Sequence, residues 1–158
     1  IFKNWPALDA GTIDYDQTAT ETITELPDSL KDIARDFYTN WFQYISPLTD
    51  TWDFIHELKA AGCSIYLLSN ASTRFAEVAK HYYPILNEFD GIVFSAPLKL
   101  AKPDPSIYQY LFDTFHLSPK DCFFLDDLVE NIVAGQALGM DGIIFTGDIQ
   151  AVKNAIGF

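Results

Sequence analysis

The chain has 158 residues, a length that fits one domain or one domain with a small insert. It is 49% hydrophobic and 15% aromatic, enough for a sizeable core, and its net charge of -12 disfavours nucleic acid and anionic membrane surfaces as partners. No apolar run approaches the roughly 18 residues of a membrane span and no secretory pattern is visible, so a cytoplasmic protein is expected.

In chain order, residues 1–48 show helical periodicity and no strand pattern. A turn at Asp9-Ala10-Gly11 precedes a helix expected from about Asp14 to Leu26. Pro27-Asp28-Ser29 opens a second helix, with Leu30, Ile33, Ala34, Phe37, Trp41 and Tyr44 forming one broad apolar stripe. From Thr49 onward helices and strands alternate. Thr49 or Asp50 is expected to cap a helix that Gly62 stops, followed by a strand, Ser64–Leu68, that ends at Ser69-Asn70. Ser72 to Tyr82 reads as a helix and Gly91–Ser95 as a strand. Asp104-Pro105 starts a helix with Ile107, Tyr108, Leu111, Phe112 and Phe115 on its buried face. A strand at Cys122–Asp126, a helix stopped by Gly139, a strand at Gly142–Thr146 and a final helix after Asp148 complete the pattern. Cys63 and Cys122 sit at the starts of apolar runs and are expected to be reduced, buried thiols; a disulfide is possible but has nothing specific behind it.

Strands that are apolar throughout, separated by amphipathic helices, predict an α/β fold built on a doubly wound, Rossmann-like parallel sheet. Such sheets bind ligands beyond the C-terminal ends of their strands. The residues at those ends are Ser69, Asn70, Lys102, Asp126 and Asp127. Two adjacent carboxylates repel each other and call for a positive partner, for which Mg2+ is the natural choice. Lys102 can neutralise an anionic group, and Ser69 with the following backbone N–H groups can hold an anionic oxygen. Asn131, four residues after Asp127, is placed to orient that carboxylate. Taken singly, each has a plainer reading as a cap, a turn residue or a solvated side chain. An acidic chain that handles a phosphorylated ligand needs such local compensation.

Three stretches in order, LLSN (67–70), AKPDPSIY (101–108) and FFLDDLVEN (123–131), resemble motifs II, III and IV of the haloacid dehalogenase superfamily. The arrangement resembles its phosphatase branch, with a helical cap after the first strand; WPALDAGTIDYDQTATE (5–21) resembles part of such a cap. The resemblance implies a partial cap at 1–48 and a hydrolase core at 49–158 that lacks its first strand. It implies a Mg2+-dependent phosphatase acting on a small phosphorylated metabolite through an aspartyl-phosphate. Ser69, Asn70 and Lys102 would bind the phosphoryl group, with Ser69 and Lys102 in catalytic roles. Asp127 and Asp126 would be metal ligands, with Asn131 behind them.

The resemblance also exposes a departure. The family's nucleophile lies in an Asp-x-Asp that ends an apolar strand, expected roughly 40 residues before the present start. The string Asp14-Tyr15-Asp16-Gln17-Thr18 matches in spelling, but no apolar strand precedes it, and it reads as the start of a helix. The absent strand is the central one by resemblance, so its loss leaves a gap of roughly 10 Å between the strands ending at Ser69 and Asp126. The expectation is that a preceding segment or another chain completes the sheet, and that these 158 residues alone are inactive. A 2-haloacid dehalogenase-type hydrolase and a non-catalytic binding module on a degenerate fold are the alternatives. A phospho-accepting receiver domain fits less well, because its acid pair comes early and its lysine last. Trp41, Phe42 and Tyr44 are candidates for substrate contact, with packing inside the helical module the stronger expectation.

Overall fold

The computed structural model describes residues 2–158. Ahead of the first strand the chain is helical: α1 (Trp5–Asp9), α2 (Tyr15–Glu25), α3 (Asp28–Asn40) and α4 (Thr49–Ala60). Asp14 caps α2, accepting a hydrogen bond from the N–H of Gln17 at 2.8 Å. Leu8, Tyr15, Ala19 and Tyr38 form a small core, locked by the Tyr15 hydroxyl donating to the Tyr38 carbonyl at 2.8 Å. The apolar stripe expected on α3 is covered only in part. Ala34 is buried, but Leu30 and Ile33 are 45% and 67% exposed. The helix also ends at Asn40, so Trp41 and Tyr44 fall in a 3-10 turn (Trp41–Tyr44), where Tyr44 is exposed.

The remainder is β1 (Tyr66–Ser69), α5 (Thr73–Tyr82), β2 (Gly91–Phe94), α6 (Ser95–Leu98), α7 (Pro105–Phe115), β3 (Phe123–Asp126), α8 (Val129–Ala137), β4 (Asp141–Ile144) and α9 (Ile149–Ile156). Residues alternate faces along a strand, and β1 shows both sides covered. Leu68 joins Val93, Ile107, Tyr108, Leu111, Phe112 and Met140 on the α7 side, whereas Leu67 packs with Trp52, Ile55 and Phe75 on the α4 and α5 side. Gly142 is where β4 closes on β3: a Cβ there would stand 2.4 Å from the Phe124 carbonyl oxygen. The final strand begins at Asp141 rather than Gly142 and ends at Ile144. The helix at 49–60 starts with Leu48 in the capping position and no side-chain cap, so neither Thr49 nor Asp50 caps it. Cys63 is exposed in the turn after α4 and Cys122 is half-buried, both free, which corrects the expectation of two buried thiols. No described helix is long and apolar enough to cross a membrane.

The strands pair in parallel as two couples, β1 with β2 (Tyr66 opposite Gly91) and β3 with β4 (Phe123 opposite Asp141). The ladder bonds set which groups face outward from each couple. The N–H of Asp90 donates to the Ile65 carbonyl, and those of Asp141 and Phe145 donate to Cys122 and Asp126. Backbone groups alternate sides along a strand, so the main-chain groups of Tyr66 and Leu68 point away from β2, and those of Phe123 and Leu125 point away from β4. Among the described residues no strand lies between the couples. The feature that ties their C-terminal ends together is a side chain, Lys102.

Candidate active site

Lys102 reaches the strand ends from the loop before α7. Its Nζ donates to the Leu68 carbonyl at 2.7 Å and to Asp126 Oδ2 at 2.6 Å, with its side chain 8% and that of Asp126 5% exposed. The loop is fixed by a reciprocal pair: Asn70 Nδ2 donates to the Lys102 carbonyl and the Lys102 N–H donates to Asn70 Oδ1, both at 2.8 Å. The Asn70 side chain is thereby occupied, leaving its backbone N–H as the group it could offer a ligand. Lys102 also lies 5.6 Å from the centre of the Phe124 ring. It is a buried, oriented charge rather than a solvated loop lysine.

Asp126 is held on both oxygens. Oδ1 accepts from Asn131 Nδ2 at 2.8 Å and from the Leu128 N–H at 2.9 Å. Burial pushes its carboxyl up, but the bonds from Lys102, Asn131 and Leu128, with the lysine's charge, together hold it below the ordinary value. Asn131 therefore orients Asp126, not Asp127 as the sequence suggested. Its own backbone is fixed by the Tyr108 hydroxyl, which donates to the Asn131 carbonyl at 2.8 Å. Asp127 is exposed and, among the described residues, has no hydrogen-bond or ion-pair partner.

Ser69, Asn70, Lys102, Asp126, Asp127 and Asn131 line one cleft of about 610 Å3. The six polar residues singled out at the strand ends and behind them are thus brought together. The opposite wall was not foreseen as site: Phe2, Trp5, Pro6 and Asp9 come from the first helical segment. Trp5 stands edge-on to Trp41 at 5.1 Å, so aromatic packing fixes it. Of the aromatics considered from sequence, Phe42 is buried at 2% and Tyr44 is exposed; neither they nor Trp41 line the cleft. Asp14 and Asp16 lie at the start of α2, outside the cleft lining. A second cavity, about 370 Å3, lies between α4, β1 and α5; its lining is mostly apolar and contains no acid, lysine or arginine.

The donor set suits a hard cation in one respect. Asp127 is free, and Asn131 Oδ1 is a buried acceptor without a partner. No cluster of three or more His, Cys, Asp or Glu occurs among the described residues. Mg2+ is commonly held by one or two carboxylates plus substrate phosphate and water, so two acids fit that ion.

A family model described as haloacid dehalogenase-like hydrolase matches residues 3–139. The chain belongs to this family. A sesquiterpene phosphatase from Aspergillus oryzae is 26% identical to this haloacid dehalogenase-like chain over 148 residues, covering 93% of it and 74% of the relative. A phosphoglycolate phosphatase from Psychrobacter arcticus is 26% identical over 87 residues, 55% of this chain and 38% of the relative. Among solved structures, a haloacid dehalogenase family enzyme of Bacteroides thetaiotaomicron, in complex with magnesium and inorganic phosphate, superposes with a TM-score of 0.72 at 23% identity, over 92% of this chain and 77% of that one. Two haloacid dehalogenase-like folds thus share the α/β arrangement of parallel strands flanked by helices.

Proposed function

We propose that the chain carries the phosphate- and cation-binding side of a Mg2+-dependent phosphatase for small phosphorylated metabolites. The observation that carries the reading is the single ammonium of Lys102, buried between the Leu68 carbonyl and Asp126, beside Ser69 and an unpaired Asp127 in one cleft. Ser69 and the backbone N–H of Asn70 bind the phosphoryl oxygens, and Lys102 balances the charge that gathers during transfer. Asp127, with Asp126 beside it, would hold Mg2+. When bound, the ion supplies charge neutralisation to the phosphoryl group.

The reaction proceeds through an aspartyl-phosphate, and its nucleophile comes on a further strand seated between β1 and β3, supplied by a preceding segment or by another chain. What supports this is the outward-facing backbone of Tyr66, Leu68, Phe123 and Leu125, together with the absence of an Asp-x-Asp at any described strand end. The sesquiterpene phosphatase, matched over 93% of this chain against 53% for a (S)-2-haloacid dehalogenase of Burkholderia cepacia, favours phosphate esters over haloacids. The test is calorimetric titration of the purified chain with inorganic phosphate, with and without Mg2+. Ser69→Ala is expected to weaken phosphate binding about tenfold, the loss of one charge-assisted hydrogen bond. Asp127→Asn is expected to abolish the Mg2+ dependence. Phosphate binding indifferent to both changes refutes the site. Mg2+-dependent turnover by the 158 residues alone refutes the assignment of the nucleophile to another segment.

A further inference from the structure

One buried hydroxyl outside the cleft touches the supports of three of its parts. Ser95 opens α6 directly after β2, is 0% exposed, and does not line the cleft itself. Its Oγ accepts from the Ala71 N–H at 2.8 Å and donates to the Asp9 carbonyl. The Ala71 carbonyl, 3.3 Å away, is a second acceptor for the same proton. The Ser95 backbone carbonyl accepts from the Leu100 N–H at 3.3 Å, in the loop that carries Lys102.

Each contact has a consequence for the site. Ala71 follows Ser69 and Asn70 at the end of β1. Ser95 takes its N–H, and the Ala96 N–H donates to its carbonyl at 3.2 Å. Ala71 is thus held through both of its backbone groups, and this fixes the path of the phosphate loop just ahead of it. Asp9 is the last residue of α1, where helix carbonyls have no donor within the helix. The Ser95 hydroxyl supplies one. Gly11 brings the two backbones together: a Cβ there would lie 2.1 Å from the Ala96 carbonyl oxygen. The helix so anchored carries Trp5 and Pro6 of the cleft lining.

We propose that Ser95 is a positioning residue that couples the seating of α1 to the geometry of the phosphate loop, so that an anion at Ser69 and Asn70 and α1 docked on the core favour one another. This rests on the phosphatase reading and adds to it a residue that touches no substrate. A hydroxyl has one proton to give. With α1 seated, that proton goes to Asp9 and a lone pair is left facing the Ala71 N–H. With α1 displaced, the proton's remaining acceptor is the Ala71 carbonyl, which already accepts from Ala96, and the hold on the Ala71 N–H is disturbed. Coupling of this kind is reciprocal: whatever seats α1 tightens the anion, and the anion seats α1 by the same factor.

The test uses the purified chain with inorganic phosphate in Mg2+, followed by calorimetry and by hydrogen exchange read residue by residue. The amides of Gly11 and Thr12 donate to the Leu8 and Ala7 carbonyls at the end of α1 and report its seating. In the parent, saturating phosphate is expected to slow their exchange about tenfold, a usual strength of coupling between sites, with no comparable change at Val152 in α9. Ser95→Ala is expected to weaken phosphate binding about tenfold and, at concentrations that saturate the variant, to abolish that slowing. Ser95→Thr, which keeps the hydroxyl, is expected to retain both. A residue that only fills the core would lower the melting temperature without uncoupling the two. Unchanged exchange at Gly11 and Thr12 in phosphate-saturated parent overturns the proposal with no variant needed, as does a folded Ser95→Ala variant that keeps the slowing. In both cases phosphate still binds and Ser69→Ala still weakens it, so the phosphatase reading stands. If phosphate does not bind the parent at all, that reading falls and the coupling falls with it.

Discussion

Asp9 and Asp126 line the same cleft, yet their surroundings move them in opposite directions. Both lose water. Asp126 recovers more than it loses through an ammonium, an amide and a backbone N–H, whereas burial dominates at Asp9, which rises from 3.8 to about 6. The consequence for stability follows from proton counting. Between pH 3.8 and about 6 the folded state keeps a proton on Asp9 that the unfolded state has released, so stability falls as pH rises through that window. The cost is fully present above pH 6. Asp9→Asn removes it, and the variant is expected to be more stable than the parent at pH 7 by on the order of 1 kcal/mol after allowance for solvent screening, about 2–4 °C. Melting temperatures recorded from pH 4 to pH 7 check this. The two proteins should converge toward pH 4, and a constant difference across the range would mean that the Asp9 charge is not the cause.

Helices that begin at Asp14, Asp104 and Asp148 share one device: the side chain accepts from an N–H of the first turn, at 2.8, 2.8 and 3.0 Å. The Asp14 cap bears on function because it opens the one string spelled like a nucleophile motif. Asp14→Ala is expected to cost about 1 kcal/mol of stability, the usual worth of such a cap, and to leave phosphate affinity unchanged. Chemical denaturation and calorimetry measure the two separately, and a loss of phosphate binding in a folded variant would return Asp14 to the site. The strands and most helices were legible because apolar runs and 3.6-residue periodicity report burial directly. The strand-end residues Ser69, Lys102, Asp126 and Asp127 were legible for a related reason: in a parallel sheet, position at a strand terminus is itself position at the ligand site. Periodicity alone names an apolar face without saying what covers it, so Leu30 and Ile33 were expected in a core and lie exposed. Cys63 was placed inside by its apolar neighbours, but the chain there is still turning after α4, with its N–H donating to the Leu58 carbonyl. Asp9, Phe2 and Trp5 carry no local signal at all. They belong to the cleft only because α1 lies across the strand ends, a relation that no short window of sequence contains.

At the scale of the whole molecule, the two strand couples set the last expectation. A parallel sheet is normally continuous and covered on both faces, and its interior strands donate on both edges. Here Leu67, Ser69, Phe124 and Asp126 turn their backbone groups toward a partner strand, while Tyr66, Leu68, Phe123 and Leu125 turn theirs toward the interval. The Leu68 carbonyl is met by Lys102, which supplies charge and a hydrogen bond but no strand. Buried amides without partners are costly, so water must serve the remaining groups. Hydrogen exchange should therefore split by residue parity. The amides of Leu67, Ser69, Phe124 and Asp126 should be protected, and those of Tyr66, Leu68, Phe123 and Leu125 should exchange much faster, by roughly 100-fold or more given the stability gap between paired and open sites within one domain. Adding a strand to the interval, as an apolar peptide ending in Asp-x-Asp, should bring the second set to the protection of the first and raise the melting temperature. Equal protection of both sets in the chain by itself would show that the interval is already closed, and the need for a further strand would disappear with it.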